Sequence, residues 1–357
     1  MSKSAPSPST ATFILPNSNP DIPITHPTSL NQDQILTFPA FKTWLRTLQK
    51  SLALQQRQKK HPFHAAPYSL RSIEIQSVDF FSGHRLGFLK MKATVANGRG
   101  ESLPGSVFMR GGSVAMMIVL TPEMRRPKPN DNKTDTDTDP DTDTDLDTAT
   151  VDGGGGSGKA QVISGGEEYV ILTLQPRIAA GSLSFVELPA GMIDDSGSFA
   201  GAAAREIQEE TGLEIAAEEL IDMTQLALRA RRPTTVDRGQ KPAERDTNDT
   251  NHSTDTDLGP DPETQDATDA DEPHLQAAVY PSPGGSDEFI PIFLVRKRLP
   301  RAEIDQLKGK LTGLRDDGEK ITLKIVRLDE VWKVAGRDGK TLAALALYAG
   351  LKGEGRI

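Results

Sequence analysis

Residues 187–213 read ELPAGMIDDSGSFAGAAAREIQEETGL, and the second half of this stretch decides the reading. Alanines at 200, 202, 203 and 204 favour a helix, and Gly212 stands where a C-terminal stop belongs, so the spacing predicts a helix over Phe199–Thr211. On that helix Glu206 and Glu210 fall one turn apart on one face, with Glu209 beside them. Arg205, one turn before Glu209, is placed to hold it by a charge-assisted bond. Carboxylates crowded this way repel each other, and a cation relieves the repulsion. Hard oxygen ligands suit Mg2+ or Mn2+, ions that also bind phosphate oxygens. The chemistry is that of a metal-dependent pyrophosphate site.

A Glu-rich helix taken alone is more often a solvated acidic face. The complete pattern outweighs that reading, because the stretch resembles the Nudix box, Gly-x5-Glu-x7-Arg-Glu-U-x-Glu-Glu-x-Gly-U with U aliphatic. Gly191, Arg205, Glu206, Ile207, Glu209, Glu210, Gly212 and Leu213 fall at the family spacing. One element departs: Gly197 stands where the box has its first Glu. In the family that Glu mainly braces the loop before the helix, so its loss bears on loop rigidity more than on metal binding. Asp194 and Asp195 are available for substitute polar contacts.

Composition narrows the class further. No run of 18 apolar residues occurs, so no membrane-spanning helix is expected, and the apolar stretch Leu342–Leu351 reads as a buried helix. The first 36 residues, rich in Ser, Pro, Thr and Asn, lack a secretory pattern and have no Arg, so we expect a disordered tail over 1–36. With no cysteine there is neither a disulfide framework nor a thiolate metal site, which fits an intracellular, cytoplasmic protein and leaves organelle targeting open. The six His residues show no HxxxH pairing, which argues against a His-based zinc site.

Two low-complexity segments interrupt the chain. Asp131–Asp152 carries a net −8 and Asp246–Glu272 a net −10, both dominated by Asp and Thr, and both read as disordered insertions. Against the chain's net −9, the remainder carries +9, a balance that suits a small anionic substrate. No Lys/Arg stripe with interleaved aromatics points to nucleic acid.

What remains alternates strands and helices. Ser72–Val78, Arg85–Thr94, Ser106–Arg110, Val114–Thr121, Tyr169–Gln175, Phe289–Arg296 and Lys320–Arg327 read as strands. Phe41–Leu54 and Arg301–Lys308 read as helices, with two short helices after Leu328. The expected class is α/β, with helices packed on a mixed sheet. We expect a helix and strand-rich dimerisation region over 37–105, then a catalytic domain over 106–353 with insertions near 126–165 and 233–275.

The resemblance extends beyond the box, from about Ser77 to Leu351, to the ADP-sugar diphosphatase and ADP-ribose pyrophosphatase group. It is carried by GFLK at 87–90, RGGSVA at 110–115, QPR at 175–177, ELPAGM at 187–192, PSPGGSDE at 281–288 and TGLRDDGE at 312–319, in the family's order. It implies a Nudix α/β/α sandwich, hydrolysing ADP-ribose or ADP-glucose to AMP and a sugar phosphate. It implies Mg2+, with Mn2+ as substitute, held by Glu206, Glu209, Glu210, Glu319 and the Ala190 carbonyl. Arg205, Glu206, Glu209, Glu210, Glu319 and Asp317 would be catalytic. Arg110, Arg177, Glu187, Ser282, Gly284, Gly285 and Glu288 would bind the sugar nucleotide. It also implies a homodimer. UDP-sugar or dinucleotide hydrolysis is the alternative within the enzyme class, and a non-catalytic nucleotide sensor the alternative outside it.

Overall fold

In the computed structural model, the described residues are 9–81, 84–123, 167–193, 198–228, 275–313 and 320–357. The N-terminal part folds where its composition predicts disorder. β1 (Thr10–Ile14) and β2 (Pro23–Pro27) form an antiparallel hairpin, and β2 adds in parallel to β3 (Ser69–Phe80) through Ile24↔Ile73. Between them lie α1 (Gln32–Thr37) and α2 (Pro39–Arg57). Asn31 and Gln34 form a reciprocal capping box at the start of α1, and Pro39 opens α2. The expected disordered tail over 1–36 is therefore corrected from residue 9 onward. Ile24 and Ile35 are fully buried with Phe41, Ile73, Leu89 and Met91, each worth about 1.5–3 kcal/mol relative to exposure. That tertiary burial overrides a Ser/Pro/Thr-rich composition.

β3 pairs antiparallel with β4 (Leu86–Ala96), which carries β5 (Ser102–Leu103) and β6 (Ser106–Met109) on its other edge. Ser106–Met109 thus belongs to this first sheet, on the far side of the boundary expected at 105/106.

The second sheet has the order β11-β12-β7-β8-β14-β13. Its strands are β7 (Ser113–Pro122), β8 (Tyr169–Arg177), β9 (Ser182–Glu187), β10 (Ala190–Met192), β11 (Ile221–Asp222), β12 (Ile292–Leu299), β13 (Leu311–Thr312) and β14 (Ile321–Arg327). β12 runs parallel to β7, while β9 and β10 pair with β8 and β7. The helices are α3 (Phe199–Thr211), α4 (Met223–Leu228), α5 (Arg301–Leu307), α6 (Val331–Val334) and α7 (Gly339–Gly353).

β7 shows why this is a sandwich. Its side chains alternate between two cores, as the period of two in a strand requires. Val114, Met116, Ile118 and Leu120 face α3 and α5; Ala115, Met117 and Val119 face α4, α6 and α7. A strand buried on both faces reads as an unbroken apolar run, and VAMMIVL at 114–120 is one. The mixed α/β sandwich expected from the sequence is the observed class. The acidic insertions, up to residue 274, lie outside the described residues.

Candidate active site

The site is built on α3 and the loop that precedes β10. Ser198 caps α3, accepting the Gly201 N–H at 3.1 Å, and Gly212 ends it in the left-handed conformation (φ 75°). Ala202, Ala203 and Ile207 bury the inner face of α3 against β7. Glu206, three residues after Ala203, and Glu210, three after Ile207, therefore lie at the rim of the buried stripe. Glu209 and Arg205 stand on the exposed side.

Glu206 and Glu210 meet the backbone of β10. The Ala190 N–H donates to Glu210 Oε2 at 3.1 Å. A Cβ placed on Gly191 would lie 1.7 Å from Glu206 Cδ, so only glycine lets this carboxylate lie against the strand. Glu210 is 5% exposed. Burial, then the charges of Glu206 and Glu187, push its carboxyl well above the usual carboxylate range, against the Ala190 bond and the Arg177 charge. Two carboxylates share one side of a loop, one of them too buried to ionise readily without a compensating positive charge.

Behind them lies a charge network. Arg177 Nε donates to Glu187 Oε1 at 2.6 Å, and Lys340 pairs with the other oxygen of Glu187. Lys340 also reaches Asp338 Oδ1 at 3.1 Å. Asp338 caps α7, accepting the Thr341 hydroxyl and N–H, and the Leu188 N–H donates to Thr341 Oγ1 at 3.2 Å. Glu187 is 2% exposed with both oxygens engaged.

A third group lies beside a cavity of about 1120 Å3 between the two sheets, whose wall includes Trp44, Arg110, Met192, Tyr280, Ser286 and Phe289. Arg110 pairs with Glu288 at 2.8 Å, and Ser113 Oγ donates to Glu288 Oε1 at 3.1 Å. Asp287 accepts the Arg110 N–H at 2.8 Å and the Gly111 N–H at 3.2 Å. Burial raises the Asp287 carboxyl, and those backbone bonds oppose it. Arg110 Nε is buried and has no hydrogen-bond partner among the described residues. Gly285 lines the cavity, while Ser282 holds the turn, its carbonyl accepting the N–H groups of Gly285 and Ser286. Gly284 sits exposed in the same turn.

The structure thus gathers Ala190, Glu206 and Glu210 in one place, Arg177 and Glu187 behind them, and Arg110, Gly285 and Glu288 at the cavity. Asp317 and Glu319 lie outside the described residues, as do Asp194, Asp195 and Gly197. Gly313, the last described residue before position 314, donates its N–H to the Glu209 carbonyl at 3.4 Å. Sequence reasoning missed Lys340, Asp338, Thr341 and Asp287. The available signals were Asp338 as an N-cap before an apolar helix and the place of Asp287 within PSPGGSDE.

Residues 160–280 match the NUDIX domain family. Together with the motif carboxylates, this match makes the chain similar to Nudix hydrolases across that segment. Over 319 residues it is 28% identical to Nudix hydrolase 14, chloroplastic, of Arabidopsis thaliana, covering 89% of this chain and 72% of that protein. A solved structure described as the crystal structure of ADP compounds hydrolase aligns over 81% of this chain and 99% of its own, at 14% identity and a TM-score of 0.36, too distant to bear on the argument.

Nudix hydrolases generally use a divalent metal ion. The residues present fit one: Glu206 and Glu210 offer hard oxygen donors, and the raised carboxyl of Glu210 marks a position short of positive charge. Among the described residues no group of three or more His, Asp or Glu side chains gathers into a complete metal centre.

Proposed function

We propose that this protein hydrolyses the pyrophosphate bond of ADP-sugars, ADP-ribose or ADP-glucose, releasing AMP and a sugar phosphate with Mg2+. The observation that carries the proposal is the Glu206–Glu210 pair folded against Ala190 and Gly191, next to a cavity large enough for a sugar nucleotide. Met192 and Ile193, directly after Gly191, line that cavity, so a ligand filling it would present its diphosphate to the motif helix.

Mg2+ bound there would neutralise the diphosphate and lower the pKa of a coordinated water. Glu206 and Glu210 would hold it, with Glu209, Glu319 and the Ala190 carbonyl completing the ligand set. A carboxylate, Glu319 or Asp317, takes the proton of the attacking water. The water oxygen bonds to one phosphorus, the bridging P–O bond breaks, and the two phosphates separate. Arg205 steadies Glu209. Arg110, through its unpartnered Nε, supplies a donor to the nucleotide beside Glu288, and the turn carrying Ser282, Gly284 and Gly285 closes that side. Arg177 lies 2.6 Å from Glu187, so in this reading the pair also shapes the floor of the site.

AMP release from ADP-ribose and ADP-glucose, set against UDP-sugars and dinucleotides with and without Mg2+, tests the assignment. Faster turnover of UDP-sugars or dinucleotides would replace the substrate class. Tight nucleotide binding without turnover would make the protein a sensor. We further propose a homodimer joined through the N-terminal sheet, to be checked by light scattering against the 38.6 kDa of one chain. An intracellular site of action is our reading. The chloroplastic relative makes an organelle a specific place to look by tagging, and no helix among the described residues is long and apolar enough to cross a membrane.

A further inference from the structure

We infer that Lys340, 130 positions after Glu210 of the motif helix, is a positioning residue that sets the geometry of the cation-binding carboxylates through the 187–191 loop. The inference rests on reading Glu206 and Glu210 as cation ligands.

Each residue of that loop is tied down from a different element. Glu187, in β9, pairs with Thr173 and takes Arg177 on one oxygen and Lys340 on the other. The Leu188 N–H is held by Thr341 Oγ1 at 3.2 Å and lies 3.4 Å from Asp338 Oδ2. The Pro189 carbonyl accepts the Met116 N–H at 3.0 Å. The Ala190 N–H goes to Glu210, and Gly191 leaves room for Glu206. The loop is thus a short rod: α7 grips one end and the motif carboxylates rest on the other.

Lys340 is the link between the two grips. Its side chain is only 10% exposed and bridges Glu187 to Asp338, the cap of α7. Asp338 in turn orients the Thr341 hydroxyl at 2.5 Å, and that hydroxyl accepts from Leu188. Two cations, Arg177 and Lys340, balance two anions, Glu187 and Asp338. The network therefore closes on itself and adds no net charge to compete for the metal. Groups that orient metal ligands in this way commonly matter about 10–100-fold for metal affinity or activity.

The sign of the effect separates positioning from electrostatics. Deleting a cation near Glu206 and Glu210 would, by charge alone, tighten Mn2+ binding. Loss of positioning would weaken it. Mn2+ binding followed by electron paramagnetic resonance on the purified full-length chain therefore decides. For Lys340→Met the expected result is affinity weakened about tenfold or more, with kcat lowered and KM for ADP-ribose nearly unchanged. Lys340→Arg keeps most of both. Thr341→Val, which cuts the second tether to Leu188, moves affinity in the same direction. Unchanged or tighter Mn2+ binding in Lys340→Met overturns the inference, whatever its melting temperature. Should that variant fail to fold, wild-type binding in Thr341→Val overturns it instead. If wild type itself binds no Mn2+, or Glu206→Gln and Glu210→Gln bind as well as wild type, the cation-site reading beneath the inference has failed.

Discussion

The carboxylate of Glu206 lies where a side chain on Gly191 would begin, with its Cδ 1.7 Å from the position of a Cβ there. Glycine is needed at 191 for close approach; its backbone is not left-handed. Gly191→Ala should therefore fold, because the group in the way is the tip of a flexible side chain, while Glu206 is pushed off its seat. We expect kcat to fall about 10^2-fold, the cost of misplacing a catalytic group by about 1 Å, with a melting temperature close to wild type. Parallel loss of fold and activity in a thermal-shift and turnover comparison would contradict this.

Glu206→Gln and Glu210→Gln each remove charge from the proposed metal site. Each should lower turnover by about 10^2-fold or more even in saturating Mg2+. Near-wild-type rates in both would end the assignment of these residues as ligands.

Glu210 also sets a pH dependence. Its folded carboxyl is raised by burial and by Glu206 and Glu187. A raised acid holds its proton better folded than unfolded, so its stabilising share is complete below the ordinary carboxylate value of 4.5. That share is lost as pH rises through the higher folded value. In EDTA the melting temperature should fall over this window, and Mg2+ should oppose the fall. Glu210→Gln should flatten the profile and abolish the Mg2+ response; an unchanged slope in this variant would refute the account.

Asp287 fastens the loop at 282–288 to the turn at Arg110 and Gly111, Arg110 lying 177 positions earlier in the chain. Asp287→Ala leaves two backbone N–H groups without their acceptor, at a cost of about 1–3 kcal/mol. Urea denaturation measures the loss, and KM for ADP-ribose should rise more than kcat falls.

Deleting residues 133–152 should leave activity intact. The flanking strands β7 and β8 are already antiparallel neighbours, paired through Leu120↔Tyr169, so a short connection serves as well. The same is expected for 246–272. Insoluble protein from either deletion would show that the segment contributes to folding.

The motif helix was legible because its information is local. Phe199–Thr211 begins and ends as the alanine run and Gly212 imply, since propensity, period and stop signal agree within one segment. β7 and β8 were legible for the same reason, as apolar runs that only a doubly covered strand accommodates. β9 and β10 were not, being short and polar-flanked strands that exist by pairing with β8 and β7.

Local signals also misled at the N-terminus. Thr10–Pro27 has the composition of a tail, and β3 in particular turns it into an edge of a sheet through two residue pairs. The candidate site divides along the same line. Sequence spacing alone placed Glu206 and Glu210 on one face of a helix and named the class of chemistry. Only the tertiary structure seated Glu206 on Gly191, buried Glu210, and brought Lys340 to Glu187 across 153 residues. Contacts at such separation carry no periodicity in the chain. They are selected by shape and charge once the sheet has formed, and one sequence does not display them.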